Sequence, residues 1–272
     1  MSMPKKSEIS VSVVIPAYNG AEYLQRNLPA VLELNADEVI VVDDASTDES
    51  AEIVGQFKEI KLIKHTVNQR FPITVNDGFV ATKGEIVILL NQDVNPDKNL
   101  LKYCLPHFAD SQVFAVTFSE KNRSWAKAEF TKGFLEFTNG PQDGQIHESF
   151  WASGGSAAFR KSIWDELGGF DPIFSPGYSE DLDLGWRVQR AGYKILWDPK
   201  CRVDHVTESA FNQAFDPTSL RRVKERNYLL AHWKNLKGWQ WLQHILYLKL
   251  RLIKHPGYLV PVGMALWKKL VS

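Results

Sequence analysis

The segment Ile86–Leu90, IVILL, is apolar at every position, and so is Val39–Val42. A strand with one wet face alternates apolar and polar residues, whereas a strand apolar throughout must be covered on both faces. Val11–Ile15 is broken only by Ser12, and Pro16 and Asn19-Gly20 close it with turn chemistry. Between such runs lie helical stretches: Ala21–Leu34 with a kink at Pro29, a stretch to Gln56 opened by Ser46 and Glu49 at capping-box spacing, and one entered at Pro72 that ends near Gly84. Ile60–Lys64 and Val113–Phe118 read as further strands, and Asn99–Phe108 as a helix. This alternation predicts an α/β fold, a Rossmann-like, mostly parallel sheet with helices on both faces. Such sheets bind ligands beyond the carboxyl ends of their strands. Three of those ends carry Pro16-Ala17-Tyr18-Asn19, Asp43-Asp44 and Asn91-Gln92-Asp93, which are expected to share one rim.

The second half is less regular. Ala126–Phe137 reads as a helix, Lys161–Leu167 as a short helix stopped by Gly168-Gly169, and Ser179 to about Ala191 as another. Gly154-Gly155 would let backbone approach a ligand closely. Ile195–Trp197 is a short strand that leads to Asp204-His205, and the pattern is helical from Arg221 onward. Within that tail, Trp241, Leu242, Ile245, Leu248 and Leu252 form an expected apolar stripe, with Gln240, Gln243, His244, Arg251 and Lys254 largely opposite.

Formal net charge is zero but unevenly spread: residues 221–272 hold eleven Lys and Arg against Glu225 alone, which leaves the body at −10. A tail this basic suits an anionic membrane surface, the acidic body itself or a second subunit. The uncharged run Gly257–Trp267 is too short for a bilayer span, which needs about 20 residues. Residues 1–10 read as a polar lead-in with Lys5, Lys6 and Glu8, not as a signal peptide. The two cysteines, Cys104 and Cys201, have neither metal-site nor disulfide-framework spacing and fit a reducing, cytoplasmic setting.

There is no G-x-G-x-x-G fingerprint, no P-loop and no G-x-S-x-G elbow, which disfavours dinucleotide cofactors, P-loop phosphoryl transfer and that serine-hydrolase design. Asp43-Asp44 reads either as turn chemistry or as carboxylates for a base or ribose, and Asp93 either as a turn residue or as a hard-cation ligand. Glu180, Asp181 and Asp183 suit the first turn of any helix, or supply a general base held ionised there by a low pKa. His205 reads as a structural hydrogen-bonder or as a ligand.

Taken in order, VSVVIPAYNGAEYL (11–24), EVIVVDDASTDES (38–50), GEIVILLNQDVNP (84–96), ASGGSAAFRKSIWDELGGFD (152–171), SEDLDLGWRVQRAGYKILWDP (179–199) and Arg226-Asn227 make the chain resemble a family 2 glycosyltransferase with the GT-A fold. The resemblance implies a catalytic domain over 1–220, with a nucleotide-binding half at about 9–120 and an acceptor half at about 121–220, and a helical tail over 221–272. It implies that Pro16, Ala17, Tyr18, Asp44, Arg70, Asn91, Asp93, Gly154 and Gly155 hold the nucleotide sugar. Asp93 and His205 would bind Mn²⁺ or Mg²⁺, and Asp181 would be the catalytic base. The implied reaction is inverting transfer from a UDP- or dTDP-linked sugar to a hydroxyl of a glycan or lipid-linked acceptor, in cell-surface polysaccharide synthesis. No nucleic acid is implied; the inner membrane face and a homodimer are compatible with the tail. One departure stands out: the family's D-x-D is Asn91-Gln92-Asp93 here, so the first carboxylate is missing. The alternative is a non-catalytic nucleotide-sugar binder. A nucleotidyltransferase would carry a Gly- and Arg-rich loop after the first strand, which Pro16-Ala17-Tyr18-Asn19 is not.

Overall fold

A computed structural model describes residues 9–121, 123–205 and 216–271; the lead-in with Lys5, Lys6 and Glu8 lies outside them. The first half alternates as its sequence requires: β1 (Val11–Ala17), α1 (Ala21–Leu32), β2 (Glu38–Asp43), α2 (Ser50–Val54), β3 (Ile60–Lys64), α3 (Phe71–Ala81), β4 (Ile86–Leu90), β5 (Val94–Pro96), α4 (Leu100–Cys104) and β6 (Val113–Ser119). The second half adds a hairpin, β7 (Ala126–Thr131) and β8 (Phe134–Asn139). It continues with β9 (His147–Glu148), β10 (Ser156–Arg160), α5 (Lys161–Leu167), α6 (Glu180–Ala191) and β11 (Lys194–His205). Three helices close the described chain: α7 (Pro217–Asn235), α8 (Trp239–Lys254) and α9 (Leu259–Val271).

The main sheet runs β3-β2-β1-β4-β10-β6-β11-β5, with β9 paired to β11. The pairs β1–β2, β1–β4, β2–β3 and β6–β11 are parallel, whereas β10 lies antiparallel between β4 and β6. Both faces are covered, which is why the strands are apolar throughout. Val13, Ile15, Val41, Ile88 and Leu90 pack beneath Leu24, Leu28 and Val31 of α1. Their alternates Val14, Val87 and Leu89 pack on the other face with Val75 and Phe79 of α3 and with Trp164 of α5.

Two local readings are corrected. Residues 126–137 are not a helix but most of a hairpin, in which Ala126 faces Asn139 and Thr131 faces Phe134. The turn residues Lys132 and Gly133 both have positive φ, 47° and 73°, the conformation that two-residue hairpin turns demand. A Cβ on Gly133 would also meet the Gln243 carbonyl oxygen at 2.7 Å, so glycine is required there twice over. Ser46 does not cap a helix either: α2 starts at Ser50. The hydroxyls of Ser46 and Ser50 and the Asp48 carboxylate accept instead from the N–H groups of Asn19, Gly20 and Ala21, satisfying the start of α1.

The tail packs on the hairpin through a third core that holds Phe134, Leu135, Trp186, Leu229, Leu230, Tyr258 and Ala265. The expected stripe on α8 is split. Trp241, Leu248 and Leu252 pack inward, His244 is fully buried, and Leu242 and Ile245 face outward at 73 % and 45 % exposure. Arg251 is on the inner side too, its guanidinium 5.1 Å from the Phe134 ring centre and 4.3 Å from that of Tyr258. Part of the tail's charge meets the acidic body, since Lys234 Nζ lies 2.6 Å from Asp171 and 2.9 Å from Asp183.

Two histidines clamp hairpin to tail, and both bonding patterns require neutral rings. His232 Nε2 accepts the Leu135 N–H at 2.8 Å while its Nδ1–H donates to the Tyr228 carbonyl at 2.7 Å. His244 Nε2 accepts from Trp233 Nε1–H at 3.0 Å, and its Nδ1–H donates to the Gly133 carbonyl at 2.7 Å. Burial pushes His232 down from 6.5 to about 3, and it lowers His244 as well. A folded pKa below the unfolded one gives stability that is complete above the unfolded value. That stability drains away as pH falls from 6.5 toward 3, at up to about 1.4 kcal/mol per pH unit for His232. Urea unfolding across this window is expected to show a falling midpoint, with a shallower fall in His232→Gln, whose amide can donate and accept without titrating.

Candidate active site

The site forms where β1, β2, β4 and β6 end. Pro16 and Ala17, buried at the end of β1, pair with Val42 and Asp43 of β2, and the Asp44 N–H donates to the Ala17 carbonyl at 2.8 Å. Tyr18 is clipped to the neighbouring strand end by Gln92, whose Oε1 accepts the Tyr18 N–H at 3.0 Å while its Nε2 donates to the Tyr18 carbonyl at 3.2 Å. The central residue of Asn91-Gln92-Asp93 is therefore a brace for the first loop, a role the sequence reading did not assign.

Asp44 is 4 % exposed and holds the loop of residues 65–70. Its Oδ1 accepts the Gln69 N–H at 2.7 Å and lies 2.8 Å from His65 Nδ1, and its Oδ2 accepts the Arg70 N–H at 2.9 Å. That grip sustains a φ of 77° at Arg70, a conformation side-chain-bearing residues rarely adopt. Arg70 lines a cleft of about 660 Å³ together with Gln69, Ile73, Asp171, Pro172, Ile173, Ser175 and, from α9, Lys268. Asp93 and Asp181 do not line this cleft, which borders the site on its Arg70 side.

At the end of β4 the Asn91 N–H donates to the Gly155 carbonyl at 2.8 Å, and a Cβ on Gly155 would meet Asn91 Nδ2 at 2.2 Å. Asn91 thus lies flat on a residue that must be glycine. Asp93, 2 % exposed, sets its Oδ1 3.2 Å from His205 Nε2. The pairing of His205 with Val94 across β11 and β5 brings the histidine there. On the far side of the ring, His205 Nδ1 lies 3.1 Å from Glu120 Oε2, and Glu120 Oε1 accepts from the Ser156 hydroxyl at 2.6 Å. Burial alone would lower the His205 pKa, but the Asp93 and Glu120 carboxylates overcome it and raise it to about 9. Glu120 is held below the usual carboxylate range: burial opposes this, but His205 and Ser156 outweigh it.

This donor set fits a divalent cation, which would take the place of the proton that the two carboxylates otherwise favour on His205. Asp93 Oδ2 is buried with no hydrogen-bond partner among the described residues, and an imidazole nitrogen stands beside the same carboxylate. Oxygen with one imidazole suits Mn²⁺ or Mg²⁺, and a carboxylate behind the imidazole is a recurrent orienting partner for a histidine ligand. Glu120 was missed in the sequence because it follows β6, carries no motif and meets His205 only in the fold.

Gly154 connects this centre to the helix-start acids, since a Cβ there would lie 3.5 Å from Glu180 Oε1 and 3.8 Å from the Asp181 Cβ. Three acids share one turn of α6 and have three fates. Asp183 is fully buried and spent on Arg187 at 2.9 Å, Lys234 at 2.9 Å and Asn235 at 2.7 Å. Glu180 is 6 % exposed, and its Oε2 is buried without a partner among the described residues. Asp181 is half-buried, with Oδ1 accepting the Leu182 N–H at 2.8 Å. The expected low pKa of Asp181 is corrected: burial raises it, outweighing the bonds from the Leu182 and Gly154 N–H groups. Burial and the Asp181 charge push Glu180 well above the usual carboxylate range. The turn that launches α6, with Tyr178 and Ser179 at φ of 74° and 70°, is held from α7. Asn227 Nδ2 donates to the carbonyls of Phe174, Gly177 and Tyr178, and Arg226 donates to that of Ser175 at 2.6 Å.

A mostly parallel sheet with helices on both faces, whose strand ends gather carboxylates, an imidazole and glycine-backed backbone, is an α/β domain of the GT-A class. The Glycosyl transferase family 2 model matches residues 12–168, more than half of the chain, and the chain belongs to that family. It is 30 % identical over 207 residues to a pre-mycofactocin glycosyltransferase of Mycobacterium tuberculosis, covering 73 % of this chain and 43 % of that one. It is also 25 % identical over 201 residues to a poly-β-1,6-N-acetyl-D-glucosamine synthase of Staphylococcus epidermidis, covering 70 % and 48 %. The chain thus spans about half the length of these curated relatives. Among solved structures, GalNAc-T7 with UDP, GalNAc and Mn²⁺ superposes at a TM-score of 0.66, with 17 % identity, over 84 % of this chain and 48 % of that one. The mannosyltransferase PcManGT of Pyrobaculum calidifontis with GDP-Man and Mn²⁺ does so at 0.63, with 19 % identity, over 98 % and 76 %. These likenesses establish the shared fold.

If Glu120 orients His205, Glu120→Gln is expected to weaken Mn²⁺ binding, measured by titration calorimetry, by roughly 10–100-fold. The melting temperature of the metal-free variant should stay near that of the parent.

Proposed function

We propose that the chain transfers a sugar from a nucleoside diphosphate to an acceptor hydroxyl with inversion at the anomeric carbon. The observation that carries this is Asp181: a half-buried carboxylate with no ion-pair partner among the described residues, beside Gly154, in the first turn of α6. A binding protein has no use for such a group, whereas a base needs one.

In this mechanism Asp181 takes the acceptor hydroxyl proton as that oxygen attacks the anomeric carbon. The bond from that carbon to the diphosphate oxygen breaks, and the nucleoside diphosphate leaves with the electron pair. One displacement inverts the centre and needs no second carboxylate, unlike glycoside hydrolysis by paired acids. Asp93 and His205 would hold a divalent cation, whose chemistry there is to offset charge growing on the leaving diphosphate. The Mn²⁺ reported with both structural neighbours supports that choice. Asn91 supplies an amide where a first carboxylate is common, so it contributes hydrogen bonds and no charge.

For the donor, the uridine or thymidine reading is supported by Asp44. A carboxylate offers about four lone-pair sites, three of which are taken by His65, Gln69 and Arg70. The remaining site on Oδ2 suits one ring N–H. Pro16, Ala17 and Tyr18 would flank the base, and Arg70 the phosphates. The acceptor in this reading is a glycan or lipid-linked hydroxyl, with the work done on the cytoplasmic side in surface polysaccharide synthesis; a named polysaccharide synthase among the relatives is in keeping with it. The missing first carboxylate favours a second reading, a nucleotide-sugar binder without turnover.

Release of free nucleoside diphosphate from sugar nucleotides with Mn²⁺ separates the two. Asp181→Asn is expected to abolish transfer while donor affinity changes by less than about threefold, well under 1 kcal/mol. The acid limb of the parent's pH–rate profile should lie above the 3.8 of an ordinary aspartate, because burial raises Asp181. Equal loss of binding and transfer in Asp181→Asn sinks the assignment.

A further inference from the structure

The described residues distribute their exposed apolar surface very unevenly. Of the sixteen large hydrophobic side chains that are most exposed, twelve lie between Trp239 and Val271. On α8, Trp239, Leu242, Leu246, Leu250 and Ile253 recur at spacings of three and four, so they form one stripe. Their exposures run from 43 % at Leu250 to 77 % at Ile253. On α9 the outward side is made of Leu259, Val260, Leu266, Trp267, Leu270 and Val271, with Leu270 81 % exposed.

These are not the faces that pack on the body. The inward sides are already filled, by Trp241, His244, Leu248 and Leu252 on α8 and by Pro261 and Ala265 on α9. Both helices are therefore apolar outward as well as inward, which a surface helix in water is not. Basic side chains border the outward faces: Lys249 and Lys254 on α8 and Lys269 on α9 are exposed, and no acid occurs after Glu225.

We infer that the outer face of α8 and α9 docks on a lipid bilayer that carries anionic headgroups. Charge complementarity selects this occupant. A symmetric contact with a second copy sets the same patch against itself, bringing two basic tails together with no acids between them. Anionic headgroups supply the opposite charge next to the apolar layer. The geometry is that of lying on the surface, since no described helix is long and apolar enough to cross a membrane. Trp239 and Trp267 have the amphipathic rings that favour the headgroup level. Docking would carry the Arg70 cleft to the membrane, because α9 lends it Lys268. A lipid-linked acceptor would then reach the site without leaving the bilayer; that consequence rests on the glycosyl-transfer reading, whereas the docking surface does not.

The test is co-sedimentation of the full chain with phosphatidylcholine vesicles, with and without phosphatidylglycerol. Binding is expected to the mixed vesicles and to weaken as salt rises. The triple change Leu242→Ser, Ile253→Ser and Leu270→Ser should abolish it, and all three sites are exposed, so circular dichroism should be unchanged. Lys254→Gln and Lys269→Gln should each weaken it by roughly fivefold. Asp181→Asn should bind vesicles like the parent, which separates failure of this surface from failure of the catalytic reading. Absence of binding to mixed vesicles, or binding that ignores the serine changes, overturns the inference. So does a concentration-dependent dimer in analytical ultracentrifugation that those changes dissolve.

Discussion

Strand β10 runs against its neighbours, and the site depends on that pairing. Ser156 lies opposite Leu90, so the backbone that enters β10 arrives beside the exit of β4. This sets Gly155 against Asn91 and Gly154 beside Glu180 and Asp181, joining residues from the two halves of the sequence at one rim. Hydrogen-bond register is quantised, and a slip of one residue would turn the strand's side chains to the wrong face. Close approach at Gly155 adds a steric lock, because any side chain there would displace Asn91.

The same geometry sorts ionisable groups by environment. His205 stands between the carboxylates of Asp93 and Glu120 and is drawn toward the charged form. His232 and His244, buried with an N–H pointing at one nitrogen of each ring, are driven to the neutral form. Among the acids of α6, Asp183 is paired with Arg187 and Lys234, Glu180 is pushed well up by burial and the neighbouring Asp181, and Asp181, half-buried without an ion pair among the described residues, is raised by burial. Adjacent residues of one chemical type thus acquire three roles through burial and partners alone.

The tail ties these features together mechanically. Helix α7 reaches back with Arg226 and Asn227 to hold the strained turn before Asp181, while Lys234 and Asn235 secure Asp183. Helices α8 and α9 stand on α7 and the hairpin through a core that includes Tyr258 and Ala265. What they present outward is mainly apolar. The tail that steadies the launch of α6 thus also carries, among the described residues, most of the exposed large hydrophobic side chains.

Much of this was legible in the order of residues. Solidly apolar strands such as Ile86–Leu90 dictated a two-sided sheet, and strand–turn punctuation dictated that Ala17, Asp44 and Asp93 would end neighbouring strands, because period and turn chemistry are local properties. Residues 126–137 misled, since Ala, Lys and Glu are good helix formers, and only the positive-φ pair Lys132-Gly133 with cross-strand pairing decides for a hairpin. The stripe on α8 misled because helical periodicity locates an apolar face without naming its partner. Tertiary structure alone made Glu120 the partner of His205, gave Gln92 to Tyr18, set Asp44 to holding a loop and raised Asp181 above its ordinary pKa. Each of these depends on distance and burial between segments remote in the chain, and neither quantity is written in any local pattern.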